Sequence, residues 1–387
     1  MKKWVAALSV TVLFLTACQM EGSEEEGETD TAEEIDEEDV VTDVEDNNNE
    51  ENIADDENYE LSQNLEQWLP KLENVVLEYQ GGGFEGDGFT RTPQFVLEDT
   101  YQFVTSSTAT TVANIYEYRE DSVVSIFSRM ETYFRENFMD TGYPSETDEE
   151  SILLQLPIEV GNTWEGIDGT FSEITDSHIP IETENAGTFE AIEVTRTSEE
   201  GESVLKSYYA EGIGLVRSES NTENTDEDTE HLTVSTLSSI HGEEPEYITT
   251  TIYTLDSAET GLEEHEAGIY LNTNDPARMA IAEALKGNHE AIEGSPVIND
   301  SVEINYMYLD ENDVANVDFS EELLTEMQYD SSTESLVLQA ITNTVGAFYR
   351  HPVEEVMITV EEEPYMSEHM TYEEEQTIEI DESMVEE

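Results

Sequence analysis

Apolar positions follow four regimes along the chain. Residues 4–16 form an almost unbroken apolar run behind Lys2 and Lys3. Residues 21–58 carry very few apolar side chains. From about residue 65 to residue 240, β-branched and aromatic residues recur in short runs with turn residues between them, which is the pattern of strands. The runs are 74–79, 94–104, 110–118, 123–129, 188–197, 203–209 and 231–240. None of them sustains a helical period. Gly161 and Asn162 suit a turn ahead of a core Trp164, and Gly212 and Gly214 suit a tight turn after Tyr208 and Tyr209.

Beyond residue 247 the pattern changes. Residues 248–255 and 268–271 are strand-like. Asp275 and Pro276 suit a helix N-cap and first position, Ala277, Ile281 and Leu285 share a face, and Gly287 stops the helix. Val302, Ile304, Tyr306 and Tyr308 alternate as on a half-buried strand, and 314–319 return as a second one after a turn at 310–313. A short helix is expected over 320–327. Ser331 and Glu334 are spaced as a capping box. They open a helix to about Tyr349 with Leu338, Ile341, Val345 and Phe348 inward. Residues 353–360 make the last strand.

The expected fold class is α+β: a β-rich N-terminal domain, then a domain with a β-α-β-β-α-β layout. Five segments follow: a signal peptide over 1–17, Cys18 with an acidic disordered tether over 18–58, the β-rich domain over 59–243, the second domain over 244–365, and an acidic tail over 366–387.

The chain holds a single cysteine, so neither an intrachain disulfide nor a multi-thiol metal site can form. Thirteen residues of helix span about 20 Å, short of a bilayer core of roughly 30 Å. The opening run therefore reads as a secretory signal rather than a permanent span. Leu15-Thr16-Ala17-Cys18 matches the bacterial lipobox. The match implies a diacylglyceryl group on Cys18, further acylation such as palmitate, and an anchor of two chains, enough for stable attachment. The expected location is the cell membrane, lipid-anchored and facing outside.

Charge changes this picture further. With 94 acidic and 13 basic side chains, the net charge is −81. Residues 21–58 hold 20 of the acids and no Lys or Arg, so they cannot offset their ordering entropy and repel themselves. Removing them, with Lys2 and Lys3, leaves 74 acids and 11 bases, a net of −63. Such a surface argues against nucleic acid as a partner and against binding anionic lipid headgroups through the protein surface. A salty or alkaline habitat explains the acidity more simply than an acidic function.

Candidate chemistry is sparse. Gly81 to Gly86 spell G-x-G-x-x-G, but no helix follows, so a hairpin loop is expected. The seven histidines are His178, His231, His241, His265, His289, His351 and His369, and no two have a metal-ligand spacing. Residues 310–319 begin like a calcium loop, yet Ala315 stands where the sixth-position Gly is needed, so a hairpin turn is expected. There is no G-x-S-x-G. No catalytic, cofactor-binding or metal residue is expected, and Cys18 is the one site residue.

Three stretches, 127–139 (FSRMETYFRENFM), 156–166 (LPIEVGNTWEG) and 207–220 (SYYAEGIGLVRSES), resemble the β-rich N-terminal region of a group of Gram-positive lipoproteins. Three others, PARMAIAEALKG, NDVANVDFSEELL and the run from Thr333 to Pro364, resemble the GerMN domain of sporulation and germination proteins over about 247–365. The resemblance implies a non-enzymatic assembly or interaction role in the cell envelope. An envelope protein, or a second copy bound through the GerMN domain, would be its partner. The alternatives are a lipid- or wall-fragment-binding protein that uses the β-rich domain and, less favoured, a wall-acting enzyme.

Overall fold

Alternation in the first region folds into a meander of twelve antiparallel strands. The structure is a computed structural model. It describes residues 60–387 except 84, 85, 87, 147–149, 199–202, 225–228, 293, 294, 328, 351, 352, 386 and 387. The opening apolar run, Cys18 and the acidic segment lie outside the described residues.

A short helix α1 (Leu65–Trp68) precedes β1 (Val75–Gly83), β2 (Phe89–Val96), β3 (Thr100–Ser107), β4 (Thr111–Tyr118) and β5 (Ser122–Arg129). After α2 (Phe138–Thr141) come β6 (Ser151–Gln155), β7 (Thr163–Glu165), β8 (Phe171–Glu182), β9 (Thr188–Thr197), β10 (Ser203–Ala210), β11 (Gly214–Asn224) and β12 (Thr229–Gly242). Each strand pairs with its sequence neighbour, except that β6 and β7 are the sheet's two edges. The chain closes on itself where β1 pairs with β12, Val75 opposite Gly242 and Gly83 opposite Thr233. The edges meet through side chains: Trp164 Nε1 and Arg196 Nη2 both donate to the Ile152 carbonyl, at 3.2 and 2.9 Å. The result is a barrel-like sheet.

Register fixes what faces inward. Leu77 lies opposite Arg91, Pro93 opposite Phe103 and Tyr101 opposite Tyr116, so these side chains share a face. Tyr209, from the other half of the meander, comes close to Arg91 and Tyr116, which makes that face the interior. Helix α1 closes one end of this bore. Its Gln67 carbonyl accepts from Gly212 N–H in the β10–β11 turn, and the Leu69 carbonyl just beyond it accepts from Tyr118 Oη on β4. Trp68 is buried there.

The outer face of β3–β5 is apolar too. Val104, Ala113, Ile115 and Phe127 join one hydrophobic cluster with the second region, which begins at β13 (Glu246–Leu255) and β14 (Leu262–Leu271). Then follow α3 (Ala277–Leu285), β15 (Ile304–Leu309), β16 (Ala315–Phe319), α4 (Glu322–Thr325), α5 (Ser331–Tyr349), β17 (Glu355–Val360), β18 (Glu363–Pro364) and β19 (Ile378–Glu379). Strands β15 to β18 form a second sheet in that order, with β16 and β17 parallel across α5, and β19 also pairing with β17.

The first strand of the expected β-α-β-β-α-β sheet is placed differently. Instead of joining β15–β17, it is a hairpin, β13–β14, forming its own two-stranded sheet. Helix α5 packs against β13 on one side and against β16 and β17 on the other. Its sequence permits this: Val337, Gln339, Thr342, Thr344 and Phe348 are all buried, so the helix is covered nearly all round. Thr344 Oγ1 accepts the Tyr253 N–H of β13 at 3.0 Å, a backbone donor that an adjacent strand would otherwise take.

Two caps also differ from expectation. Helix α3 starts from Pro276, while the Asp275 carboxylate accepts from Asn272 N at 2.9 Å. Helix α5 is capped by Asp330, which accepts from Ser332 N and Thr333 N, both at 3.0 Å. Glu334 is instead buried and accepts from Tyr365 Oη at 2.7 Å. The acidic C-terminal segment folds back: Gln339 Nε2 donates to the Glu379 carbonyl and Asn343 Nδ2 to the Asp381 carbonyl, both at 2.9 Å.

Candidate functional site

The sheet β15–β18 has one apolar face and one face of tyrosines and polar residues. Met307, Leu309, Val317, Phe319 and Ile358 pack into the shared cluster. On the other face stand Tyr306, Tyr308, Asn316, Asp318 and Thr359. The rings of Tyr306 and Tyr308 are 5.7 Å apart and half-buried. Beneath them Asp318 is fully buried. It accepts from Thr359 Oγ1 at 2.6 Å, from Asn305 Nδ2 at 2.8 Å and from Glu362 N at 2.8 Å. The last bond holds the acidic turn after β17, where Glu361 and Glu362 both adopt the left-handed backbone region (φ 52° and 66°). Asn316 Nδ2 donates to the Val314 carbonyl at 3.0 Å, and its buried Oδ1 has no donor.

The two edges of this sheet differ. The β17 side is covered by β18 and β19. Among the described residues, strand β15 is the other edge and pairs with β16 alone. At its end, Leu309 N–H is taken by Glu136 Oε2 at 2.9 Å. Backbone donors alternate along an antiparallel strand, so the Met307 N–H points to the same side.

Glu136 belongs to a buried polar junction between the barrel and the second region. Burial pushes its carboxyl up to about 7, opposed by the neighbouring Thr141 and Tyr349 hydroxyls. Its Oε1 has no partner. Next to it Arg135, with a fully buried side chain, reaches Glu246 Oε2 at 2.9 Å, the Gln94 carbonyl at 2.7 Å and the Asn272 carbonyl at 2.6 Å. Gln94 Nε2 donates to the other Glu246 oxygen at 2.9 Å.

The residues singled out by sequence have these places. Cys18 lies outside the described residues, as do His351 and the side chain of His231. His178 and His241 sit beside Glu190 and Glu78, at 4.0 and 3.4 Å. His265 is 2.9 Å from Thr254 Oγ1, His289 is 3.0 Å from the Gly268 carbonyl, and His369 is 3.1 Å from the Tyr329 carbonyl. Residues 310–313 are a hairpin turn: Asp310 Oδ1 accepts from Asn312 N at 2.8 Å and Val314 N at 3.1 Å, and Asp313 Oδ1 accepts from Tyr143 Oη at 2.7 Å. Gly81 to Gly83 are the end of β1. Among the described residues, no group of three His, Cys, Asp or Glu is placed to hold a metal ion, and no helix is long and apolar enough to cross a membrane. Sequence reasoning passed over Arg91, Arg135 and Glu136. Only Arg91 carried a signal, because it is in phase with Phe89 and Pro93 on one strand face.

No curated protein matches this chain. Two solved structures do. One is a protein from Bacteroides fragilis NCTC 9343 described as exported and YmcC-like in fold, at 13% identity and a TM-score of 0.29. The other is a protein from Parabacteroides distasonis ATCC 8503 described as a lipoprotein, at 12% identity and a TM-score of 0.26. Each alignment covers 44% of this chain and 97% of the other. The GerMN-like motifs fall inside a further match, and residues 251–366 carry a Germane domain, the family described as sporulation and spore germination.

Proposed function

We propose that the chain is an extracytoplasmic lipoprotein, anchored to the cell membrane through Cys18. In this reading it serves without enzymatic chemistry as an assembly or interaction component of the cell envelope in sporulation or germination. The observation that carries it is the Germane domain with one sheet edge, β15, that has no further strand on it among the described residues, beside the neighbouring rings of Tyr306 and Tyr308. Tyrosines next to a sheet edge suit docking of another protein segment. The buried carboxylates support a structural rather than a chemical role. Asp318, Glu334 and Glu246 all spend their bonds on holding chain segments together. The lipobox supports the anchor, and the acidic segment of 38 residues could extend at most about 130 Å from it.

The experiment places a photo-crosslinking amino acid at Tyr306 in cells, with Tyr133, exposed elsewhere, as control. An adduct of defined mass from position 306 alone supports docking at this face. Equal yields at both positions, or none, remove it. Membrane fractionation of a Cys18→Ala variant tests the anchor separately: release to the medium or an uncleaved precursor is expected, and an unchanged membrane-bound protein overturns it.

A further inference from the structure

The C-terminal segment sits in a groove whose walls hold extended backbone. Residues 377–381 run between α5 and the edge of β17. On the β17 side Ile378 lies opposite Val356 and Glu379 opposite Glu355, and the Ile380 N–H donates to the Glu354 carbonyl at 2.9 Å. On the α5 side two buried amides read main-chain atoms of the segment. Gln339 Nε2 donates to the Glu379 carbonyl at 2.9 Å. Asn343 donates through Nδ2 to the Asp381 carbonyl at 2.9 Å and accepts from the Asp381 N–H at 3.1 Å. Bonds of this kind hold an extended chain without regard to its side chains. Two positions do select side chains. Ile378 and Ile380 both pack on the core cluster, and Ile380 lies in the notch at Gly346, where a Cβ would stand 2.3 Å from its Cδ1.

The segment fits this groove imperfectly. Glu379 and Glu355 are directly opposite, and like charges so placed repel. Glu373, Glu374 and Glu375, all exposed, come just before. An open cleft of about 520 Å³ borders residues 377–381, with Gln339 and Tyr372 also in its lining, so the segment leaves space at its side. The mismatch is one of charge. A base in the place of Glu379 would meet the Glu355 carboxylate across the pair.

We propose that this groove is a strand-acceptor site for another protein, closed by the chain's own residues 377–381. The occupant is an extended segment with aliphatic side chains in the places of Ile378 and Ile380 and a Lys or Arg between them. It would pair with β17, take the same amide bonds from Gln339 and Asn343, and replace the Glu379–Glu355 repulsion by an ion pair. The site lies on the β17 side of the sheet, away from β15, so the inference stands apart from the docking face proposed above.

The test uses the full chain carrying Cys18→Ala and reads fluorescence anisotropy of labelled peptides. The probes are residues 374–383 of this chain, the same peptide with Glu379→Lys, and a scrambled form of the second. In the parent the tethered segment competes at a millimolar effective concentration, so every peptide should bind weakly. Ile380→Asp in the chain empties the notch, and the Glu379→Lys peptide should then bind at least about tenfold more tightly than to the parent. It should exceed the unaltered peptide by about threefold at 0.1 M salt, the scale of one cross-strand charge pair, and the gap should close at 1 M. Adding Gly346→Ala to Ile380→Asp fills the notch and should weaken binding about tenfold. Glu379→Lys in the chain itself should raise the thermal midpoint at 0.1 M salt, because the segment then pairs with Glu355. The proposal is overturned if no peptide binds the Ile380→Asp chain, if the scrambled or unaltered peptide binds it as well, or if Gly346→Ala leaves binding unchanged. It is overturned too if the Glu379→Lys chain melts no higher than the parent, or if Ile380→Asp fails to fold, since the segment would then belong to the core.

Discussion

Arg135 Nη1 stands 2.9 Å from Glu246 Oε2, and the pair joins the loop after β5 to the first strand of the second region. Burial alone pushes Glu246 up and Arg135 down, both toward neutrality. The close contact and the Gln94 amide oppose this without cancelling it. Removing one partner strands the other. Arg135→Met should cost about 3–5 kcal/mol in urea unfolding. It also takes one of two donors from each of the Gln94 and Asn272 carbonyls, which keep the Asn274 and Asp275 N–H groups. The double variant with Glu246→Met should therefore recover only part of the loss. Full recovery would mean that the carbonyl bonds are dispensable, and additive losses would mean that the ion pair is not the coupling.

Glu136 gives a pH dependence of definite sign. Its carboxyl titrates near 7 in the fold against 4.5 for the ordinary group. The folded state therefore holds the proton more tightly, and stability from this group is full below pH 4.5 and falls as pH rises through 7. The whole swing is about 3 kcal/mol. Glu136→Gln keeps an acceptor for Leu309 N–H and removes the titration. The variant should be more stable than the parent at pH 8 and close to it at pH 5. A difference between the two proteins that does not change from pH 5 to 8 would show that Glu136 is not the titrating group.

Local signals were legible, and long-range ones were not. The ends of α5 and of β9 follow directly from periodicity, as does the turn that sets Trp164 in the core. Residues 94–104 read as one strand but are parts of β2 and β3, because the turn at Leu97-Glu98-Asp99 contains neither Gly nor Pro. Strand β8 escaped notice because bulges near Asp176 and Ile179 break its alternation. The junction could not be read at all. Arg135 and Glu246 are separated by 111 residues, and no spacing rule connects a base in one loop to an acid on a distant strand.

Excess charge makes a third prediction. The part of the chain from residue 59 onward carries a net of −63, and its few ion pairs are mostly exposed. Mutual repulsion of the carboxylates is screened over about 10 Å at 0.1 M salt and about 3 Å at 1 M. The thermal midpoint should rise clearly between these concentrations. A flat response would mean that the acidic surface is not a destabilising load.

The C-terminal segment supplies the last prediction through Gly346. In an exposed helix, Gly→Ala gains about 1 kcal/mol. In α5 a Cβ at this position would stand 2.3 Å from Ile380 Cδ1 and 2.8 Å from its Cγ1, because the segment that follows β19 lies directly on the helix. Ile380 would have to move, and with it the backbone that receives the Asn343 amide at Asp381. Gly346→Ala should therefore destabilise the protein by about 1–2 kcal/mol, the scale of overpacking. It should also speed proteolysis within residues 366–385. In an Ile380→Ala background the clash is gone, and the same substitution should become neutral or stabilising. The change of sign between the two backgrounds, measured by urea unfolding, distinguishes a tail docked on α5 from one that merely follows it. Equal effects in both would mean that Ile380 does not occupy the Gly346 notch.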